Sequence, residues 1–332
     1  MNITKILAGA ACVTVMGLSS ASAVAGDIVL RASHQWPKGD MRDEMVRIIA
    51  KDVEKANVGL KIQVYPGKSL YKPKEQWNAI VKGQLDITAF PLDYAGGRHP
   101  EFNLTLMPGL VRNHDHAQRL DHSAFMKRIK KIINDSGVMV LSDTWLAGGF
   151  VSKGQCVLDP KDVKGMRFRA AGRAFNEMLA GAGASITSMP SSAIYTALQT
   201  NVLDGANTSS ASLVSYRIYE QVKCLTAPGK NALWFMYEPI LMSKKSFDRL
   251  NKKQQEAIIA AGKHAEKYAY EKGKEADKIL VDTYKKHGVK VVYMDDKQFD
   301  EWKKIADQTS YKNFANKVKG GRALLDMALS VK

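Results

Sequence analysis

Gly165-Met166-Arg167-Phe168-Arg169 is followed, after one helix, by Met189-Pro190-Ser191-Ser192-Ala193-Ile194-Tyr195-Thr196-Ala197-Leu198-Gln199 and then Val202-Leu203-Asp204-Gly205. These segments predict a short strand ending in Arg169, then the helix Ala174–Gly181 stopped by glycines, and a strand over Ala184–Thr187. Ser191 or Ser192 is expected to cap a helix over Ala193–Thr200, with Asn201 in the left-handed position behind it. Val202–Ala206 closes the unit as another strand. Arg169 then stands at the carboxyl end of a strand, the edge where open α/β sheets bind ligands. Arg167, two residues earlier, reads as a solvated charge.

Working outward, the chain before this unit repeats the same alternation. Ile28–Ser33 and Leu60–Tyr65 read as strands, separated by an amphipathic helix over Asp40–Lys55. Lys74–Lys82 is a second helix, ended by Gly83, and Leu85–Ala89 a third strand. This β-α-β-α-β order predicts a parallel sheet with crossover helices. His116–Asp135 is expected to be one helix and Val138–Ser142 a strand. The extended run Ala147-Gly148-Gly149-Phe150-Val151-Ser152 has glycines that permit a crossing between lobes. Downstream, Val222–Ala227 and Ala232–Ser243 are strand-like, and Phe247–Lys286 reads as one long helix that Gly262 and Gly273 weaken or bend. Val289–Tyr293 is a last strand, followed by helices over Asp296–Val318 and Ala323–Leu329.

The first residues are an address. Lys5 precedes the apolar run Ile6–Leu18, and Ala21-Ser22-Ala23 or Ala23-Val24-Ala25 supplies small residues for cleavage, the pattern of a secretory signal peptide over 1–25. Cys12 is not read as a lipid attachment site, because the apolar run continues beyond it. The remaining chain, about 307 residues, exceeds one ordinary core, so two lobes are expected. They interleave: 26–148 with about 234–270 form lobe I, and 149–233 with about 271–332 form lobe II. Beyond the signal segment stand 48 basic and 33 acidic residues, a net charge of +15. An exported chain with lysines scattered over helices is not expected to bind nucleic acid or embed in a membrane; at most the charge favours anions. Cys156 and Cys224 flank the opening unit, an even pair that an oxidising compartment can bridge.

Enzymatic patterns do not emerge. Gly181-Ala182-Gly183 ends a helix and does not follow a strand, so it is no dinucleotide fingerprint. No serine stands in a Gly-x-Ser-x-Gly turn, and there is no Cys-x-x-Cys. His114, His116 and His122 do not share a helix face at metal-ligand spacing, and no cofactor or metal is expected. A binding role fits better. A guanidinium matches a carboxylate in a bidentate fork, and Trp36, Phe90, Tyr94, Trp145, Tyr195, Trp234 and Tyr237 cluster at predicted strand ends and loops, as in a small-molecule cleft.

The ordered set of Gly165–Arg169, Pro190–Gln199 and Val202–Gly205 resembles DctP-type solute-binding proteins of TRAP (tripartite ATP-independent periplasmic) transporters. Gly83-Gln84-Leu85-Asp86 and the lead-in Asp159–Gly165 extend the resemblance over nearly the whole mature chain. It implies an α/β, two-lobe periplasmic-binding-protein-like fold with an interlobe cleft, crossing strands and a long helix spanning both lobes. It also implies a periplasmic receptor that closes around an organic acid and delivers it to a TRAP membrane permease, not an enzyme; the alternative is an exported hydrolase or lyase acting on a small organic acid. By the motif match Arg169 corresponds to the carboxylate-binding arginine. Asn207, His34 and Gln35 lie in pocket segments, and Trp36, Tyr94, Trp145, Tyr195 and Trp234 join them as candidate ligand contacts. Similar acid-sugar and dicarboxylate binders carry a second arginine before the interlobe crossing, where this chain has Trp145–Phe150. A lone fork predicts a monocarboxylate with an apolar or aromatic remainder, since a second buried carboxylate lacks a partner.

Overall fold

The computed structural model describes residues 27–332; the expected signal peptide lies outside the described residues. Among them are twelve strands: β1 Ile28–Ser33, β2 Leu60–Tyr65, β3 Ile87–Ala89, β4 Val138–Ser142, β5 Trp145–Ser152, β6 Arg167–Arg169, β7 Ser185–Thr187, β8 Gly205–Ser209, β9 Cys224–Ala227, β10 Trp234–Tyr237, β11 Ile240–Ser243 and β12 Lys290–Tyr293. They form two sheets. The five-stranded sheet of lobe I runs β2-β1-β3-β11-β4, and the seven-stranded sheet of lobe II runs β12-β9-β5-β8-β6-β7 with β10 also on β5. In lobe I, β1 lies parallel to β2 and β3, as the β-α-β-α-β order predicts.

The chain passes from lobe I to lobe II between β4 and β5, and returns between β10 and β11. These changes of sheet fall at Asp143-Thr144 and Glu238-Pro239, a few residues from the expected boundaries at 148 and 234. The Glu238 amide donates to the Thr144 carbonyl at 2.8 Å, which ties the two crossings together. The glycines of β5 serve a packing need. A Cβ on Gly148 would fall 2.2 Å from the Thr208 carbonyl oxygen and 2.4 Å from the Trp234 ring, and one on Gly149 2.4 Å from the Thr226 carbonyl oxygen.

Helices cover both sheets. In lobe I, α1 Met41–Lys55 is capped by Asp40, whose side chain accepts from the Arg42 amide, and α2 Gln76–Lys82 ends at Gly83 with φ of 73°. The expected single helix over His116–Asp135 is instead α3 His114–Asp121 and α4 Ala124–Asp135. Ser123 breaks it by capping α4 through the Met126 amide, a local bond that competes with helix continuation. In lobe II, α5 Gly172–Gly181 and α6 Ile194–Gln199 flank β7, and α7 Ser210–Ser215 follows β8. Neither Ser191 nor Ser192 caps α6, which begins without a side-chain cap. Asn201 does adopt a left-handed φ of 57°, but the next strand begins at Gly205 and not Val202, because the Val202 and Leu203 amides turn back to the Ala197 carbonyl.

After α8 Lys244–Asp248, Asn251 and Gln254 form a capping box that restarts the chain as α9 Lys252–Lys286, 35 residues long. Its first half packs Ile258, Ala261, Ala265 and Ala269 into the lobe I core with Met45, Val46 and Ile49 of α1. Its second half places Leu280 and Tyr284 in the lobe II core with Leu213 and Ile218. Gly262 and Gly273 do not interrupt it. A Cβ on Gly262 would meet the Leu141 carbonyl oxygen at 2.4 Å, so the glycine is what lets the helix lie against β4. The C-terminal segment comprises α10 Asp296–Ala306, a π turn over Asp307–Tyr311 and α11 Lys312–Lys317, which together make the expected helix unbroken to Lys317, and then α12 Gly321–Leu329. The π turn lets Ser310 donate to the Ala174 carbonyl and Tyr311 to that of Pro108, two buried bonds.

Candidate ligand site between the lobes

β6 lies between β7 and β8, parallel to both, so its carboxyl end delivers Arg169 to the inner edge of lobe II. The side chain is 1% exposed. Its Nε donates to the Met189 carbonyl at 3.0 Å, Nη1 to the Asn207 carbonyl at 2.5 Å, and Nη2 to the Tyr94 hydroxyl at 3.3 Å. A guanidinium has five N–H donors, so two remain uncommitted. Burial pulls its pKa down, while Tyr94, Asp93 and Glu238 push it back up.

Tyr94 belongs to lobe I, in the turn Leu92–Ala95 after β3. Its hydroxyl accepts from Arg169 and also from the Ser191 amide at 3.0 Å. Ser191 itself lies in the single 3-10 turn Ser191–Ala193 that precedes α6. Asn207, in β8 and not beyond it, accepts from the Ala171 amide through Oδ1 at 2.9 Å, and its Nδ2 is buried without a partner. From lobe I, both amide atoms of Gln35 and Nδ1 of His34 are likewise buried and unpartnered. His34 Nε2 pairs with Asp43 at 3.1 Å, and the Gln35 carbonyl accepts from Tyr216 of lobe II at 3.0 Å. Trp234 contributes an unpartnered indole N–H. Unpaired buried polar groups are costly, and here they come from segments of both lobes.

Other predicted residues have different places. Trp36 donates to Ser212 at 3.2 Å and carries the Arg42 guanidinium 4.1 Å above its ring. Trp145 donates to Asp121 at 2.6 Å and packs on Tyr237, locked in a buried knot with Asp143 and Tyr270. Burial and the neighbouring Asp143 raise Asp121 to about 7. Tyr195 is not brought to the site: its hydroxyl donates to Glu220 at 2.8 Å on the outer side of α6. Cys156 and Cys224 are joined, with Cα atoms 5.2 Å apart, and so fasten the loop after β5 to β9. Arg167 forms a solvent-exposed fork on Asp204.

Sequence reasoning missed Arg42. It is fully buried on α1, pairs with both oxygens of Asp40 at 2.7 Å, with Glu238 at 2.5 Å, and with Ser209 and Ser212 of lobe II at 2.9 and 3.1 Å. All its N–H groups that reach into the seam are thus met by protein. Nothing in its helical spacing distinguishes it from the exposed basic residues of the same helix. Asp93, next to Tyr94, was missed for the same reason.

Two lobes joined by crossing strands and a shared helix, with one buried and partly uncommitted guanidinium at their seam, have the architecture of a two-lobe binding protein. The chain belongs to the bacterial extracellular solute-binding protein family 7, the DctP family, whose model matches residues 32–317. It is 40% identical over 305 residues to a solute-binding protein of Albidiferax ferrireducens, covering 90% of each chain. It is 25% identical to the sialic acid-binding periplasmic protein SiaP of Vibrio cholerae, over 92% of this chain and 94% of that one. A TRAP periplasmic solute-binding protein from Rhodoferax ferrireducens, with bound malonate, superposes with a TM-score of 0.88 at 40% identity, covering 91% of this chain and 98% of the other. A Bordetella pertussis receptor, DctP7, binding pyroglutamic acid, shares the fold at a TM-score of 0.83 and 22% identity, over 91% and 99%. These are solute-binding receptors, not enzymes, and no helix of the described residues is long and apolar enough to cross a membrane.

Proposed function

We propose that this chain is the periplasmic receptor of a TRAP transporter, that it captures a small organic acid by closing its lobes, and that it hands the acid to the membrane permease. The observation that carries this reading is the state of Arg169: buried at the seam, held by two carbonyls and a tyrosine from the opposite lobe, and left with two free N–H donors. A carboxylate is the anion whose geometry those donors fit. Lobe I moves against lobe II about Asp143-Thr144, Glu238-Pro239 and α9. Closure is favoured because the ligand gains contacts from both lobes only in the closed state.

The acid carries one carboxylate. The other buried guanidinium of the seam, Arg42, is already neutralised by Asp40 and Glu238, so no second free guanidinium fork is left there for a second ligand carboxylate. Tyr94 and Trp234 suit a small apolar, aromatic or modestly hydroxylated remainder. The relative from Rhodoferax ferrireducens holds malonate, a diacid, which makes the comparison decisive. Thermal shifts should be read with a panel of mono- and dicarboxylates on the mature, ligand-stripped protein. A monocarboxylate at 100 times its Kd stabilises by about 2.7 kcal/mol. Largest shifts with malonate- or succinate-like acids would overturn the single-carboxylate reading, and no shift with any acid would overturn the receptor assignment.

A further inference from the structure

The Asp93 side chain forms no hydrogen bond or ion pair among the described residues, and it adjoins Tyr94, whose hydroxyl meets Arg169. Asp93 is 5% exposed, and its Oδ1 is buried with no hydrogen-bond partner. Its own turn holds it there through the backbone, where the Gly96 amide donates to the Asp93 carbonyl at 2.8 Å. The side chain reaches across the seam to the start of α5: a Cβ on Gly172 would lie 2.0 Å from its Oδ2. Gly172 has φ of 73° and no side chain, so lobe II leaves room there for the carboxylate of lobe I. Asp93 Oδ1 nonetheless takes no hydrogen bond from the α5 amides.

Asp93 and Arg169 are oppositely charged, both buried, and electrostatically coupled. Yet the donors of Arg169 go to Met189, Asn207 and Tyr94, and no ion pair joins the two among the described residues. A desolvated carboxylate with an empty lone pair is expensive unless a donor meets it. Asp93 also lines a cavity of about 290 Å³ together with Tyr94, Met189, Lys74 and Asn176. Two of these, Tyr94 and Met189, are direct partners of Arg169, and Asn176 offers a second buried, unpartnered oxygen. The cavity thus reaches two residues that hold the Arg169 guanidinium, although Arg169 itself does not line it.

We propose that Asp93 is a second recognition group of this site, accepting a hydrogen bond from a hydroxyl or amide N–H that the ligand carries next to the carboxylate held by Arg169. The ligand class is then a 2-hydroxy acid or a lactam or N-acylated amino acid, and not a simple alkanoic acid. A neutral donor fits better than an ammonium, because Lys74 and Arg173 already line the cavity with positive charge. This assignment rests on the carboxylate reading of Arg169.

Isothermal titration calorimetry on the mature, ligand-stripped chain tests it with matched pairs: lactate against propionate, and pyroglutamate against cyclopentanecarboxylate. The wild type is expected to favour the donor-bearing member of at least one pair by about tenfold or more, as loss of a hydrogen bond to a charged group implies. In Asp93→Ala the ratio falls to about one, and in Asp93→Asn, which keeps an acceptor oxygen, part of the preference returns. A wild type without preference, or an Asp93→Ala variant that keeps the full preference while melting cooperatively, overturns the proposal. Arg169→Ala separates the two readings: if it abolishes binding of all four acids while Asp93→Ala leaves their ratios untouched, the carboxylate site stands and the role of Asp93 falls. If none of the four acids binds the wild type, both fall.

Discussion

Replacing Arg169 by alanine removes the one guanidinium of the seam with free donors, and the consequences divide into two parts. The first is binding. Deleting one partner of a buried charge pair costs about 3–5 kcal/mol, because the other charge is left desolvated and alone; at 1.4 kcal/mol per decade that is a loss of roughly a hundredfold to a few thousandfold in Kd. The second is stability. Arg169 satisfies the carbonyls of Met189 and Asn207, and an orphaned buried acceptor costs about 1–3 kcal/mol. Thermal melting and far-ultraviolet circular dichroism must therefore show a folded variant before its titration is interpreted. Arg169→Lys serves as the companion: it keeps the charge but not the fork, and an intermediate loss of about tenfold is expected. Calorimetric titration with the best acid of the panel gives the result. A folded Arg169→Ala protein that binds this acid within threefold of the wild type would refute the assignment.

Two further outcomes concern the seam itself. Arg42→Met leaves Asp40 and Glu238 buried without their cation; a stability loss of about 3–5 kcal/mol is expected in a denaturant melt, and a midpoint equal to the wild type's would show that Arg42 is not the bridge described. Asp93 titrates at about 7 in the folded protein, raised by burial against the opposing charges of Arg169 and Lys74. A raised carboxyl contributes stability that is fully present below its unfolded value near 3.8 and lost as pH rises through 7. The loss reaches about 4 kcal/mol by pH 8. Without ligand, Asp93→Asn should gain on the wild type in melting temperature between pH 4 and 8, and a difference that stays constant over this range would contradict the titration.

How much of this was legible depends on the range over which each feature is encoded. Alternating and helical periodicities are local, so β1, β2, α1 and α2 fall within a residue or two of where the apolar pattern places them, and Gly83 ends α2 as its missing Cβ allows. Boundaries drift where a distant group competes for the same local atoms. Ser191 reads as a cap by sequence, but it sits in a 3-10 turn ahead of α6, and its amide meets Tyr94 from 97 residues away. The turn at Val202 displaces β8 by three residues and so puts Asn207 in mid-strand, with its carbonyl on Arg169. Gly262 and Gly273 read as weaknesses of a helix because a sequence window cannot show that β4 and His114 need the space.

By itself, the sequence determined the α/β class, the two lobes, the long helix and the position of Arg169 at a strand end, since each follows from residue order and period. Tertiary structure decided which side chains share the seam with it. Tyr195, four residues beyond Ser191, turns outward to Glu220, while Arg42 and Asp93, unremarkable on α1 and in a short turn, end in the interior. Burial is a property of what packs opposite a residue. For Arg42 the opposing groups are Ser209, Ser212 and Glu238, up to 196 positions away, and no local pattern encodes a partner at that distance.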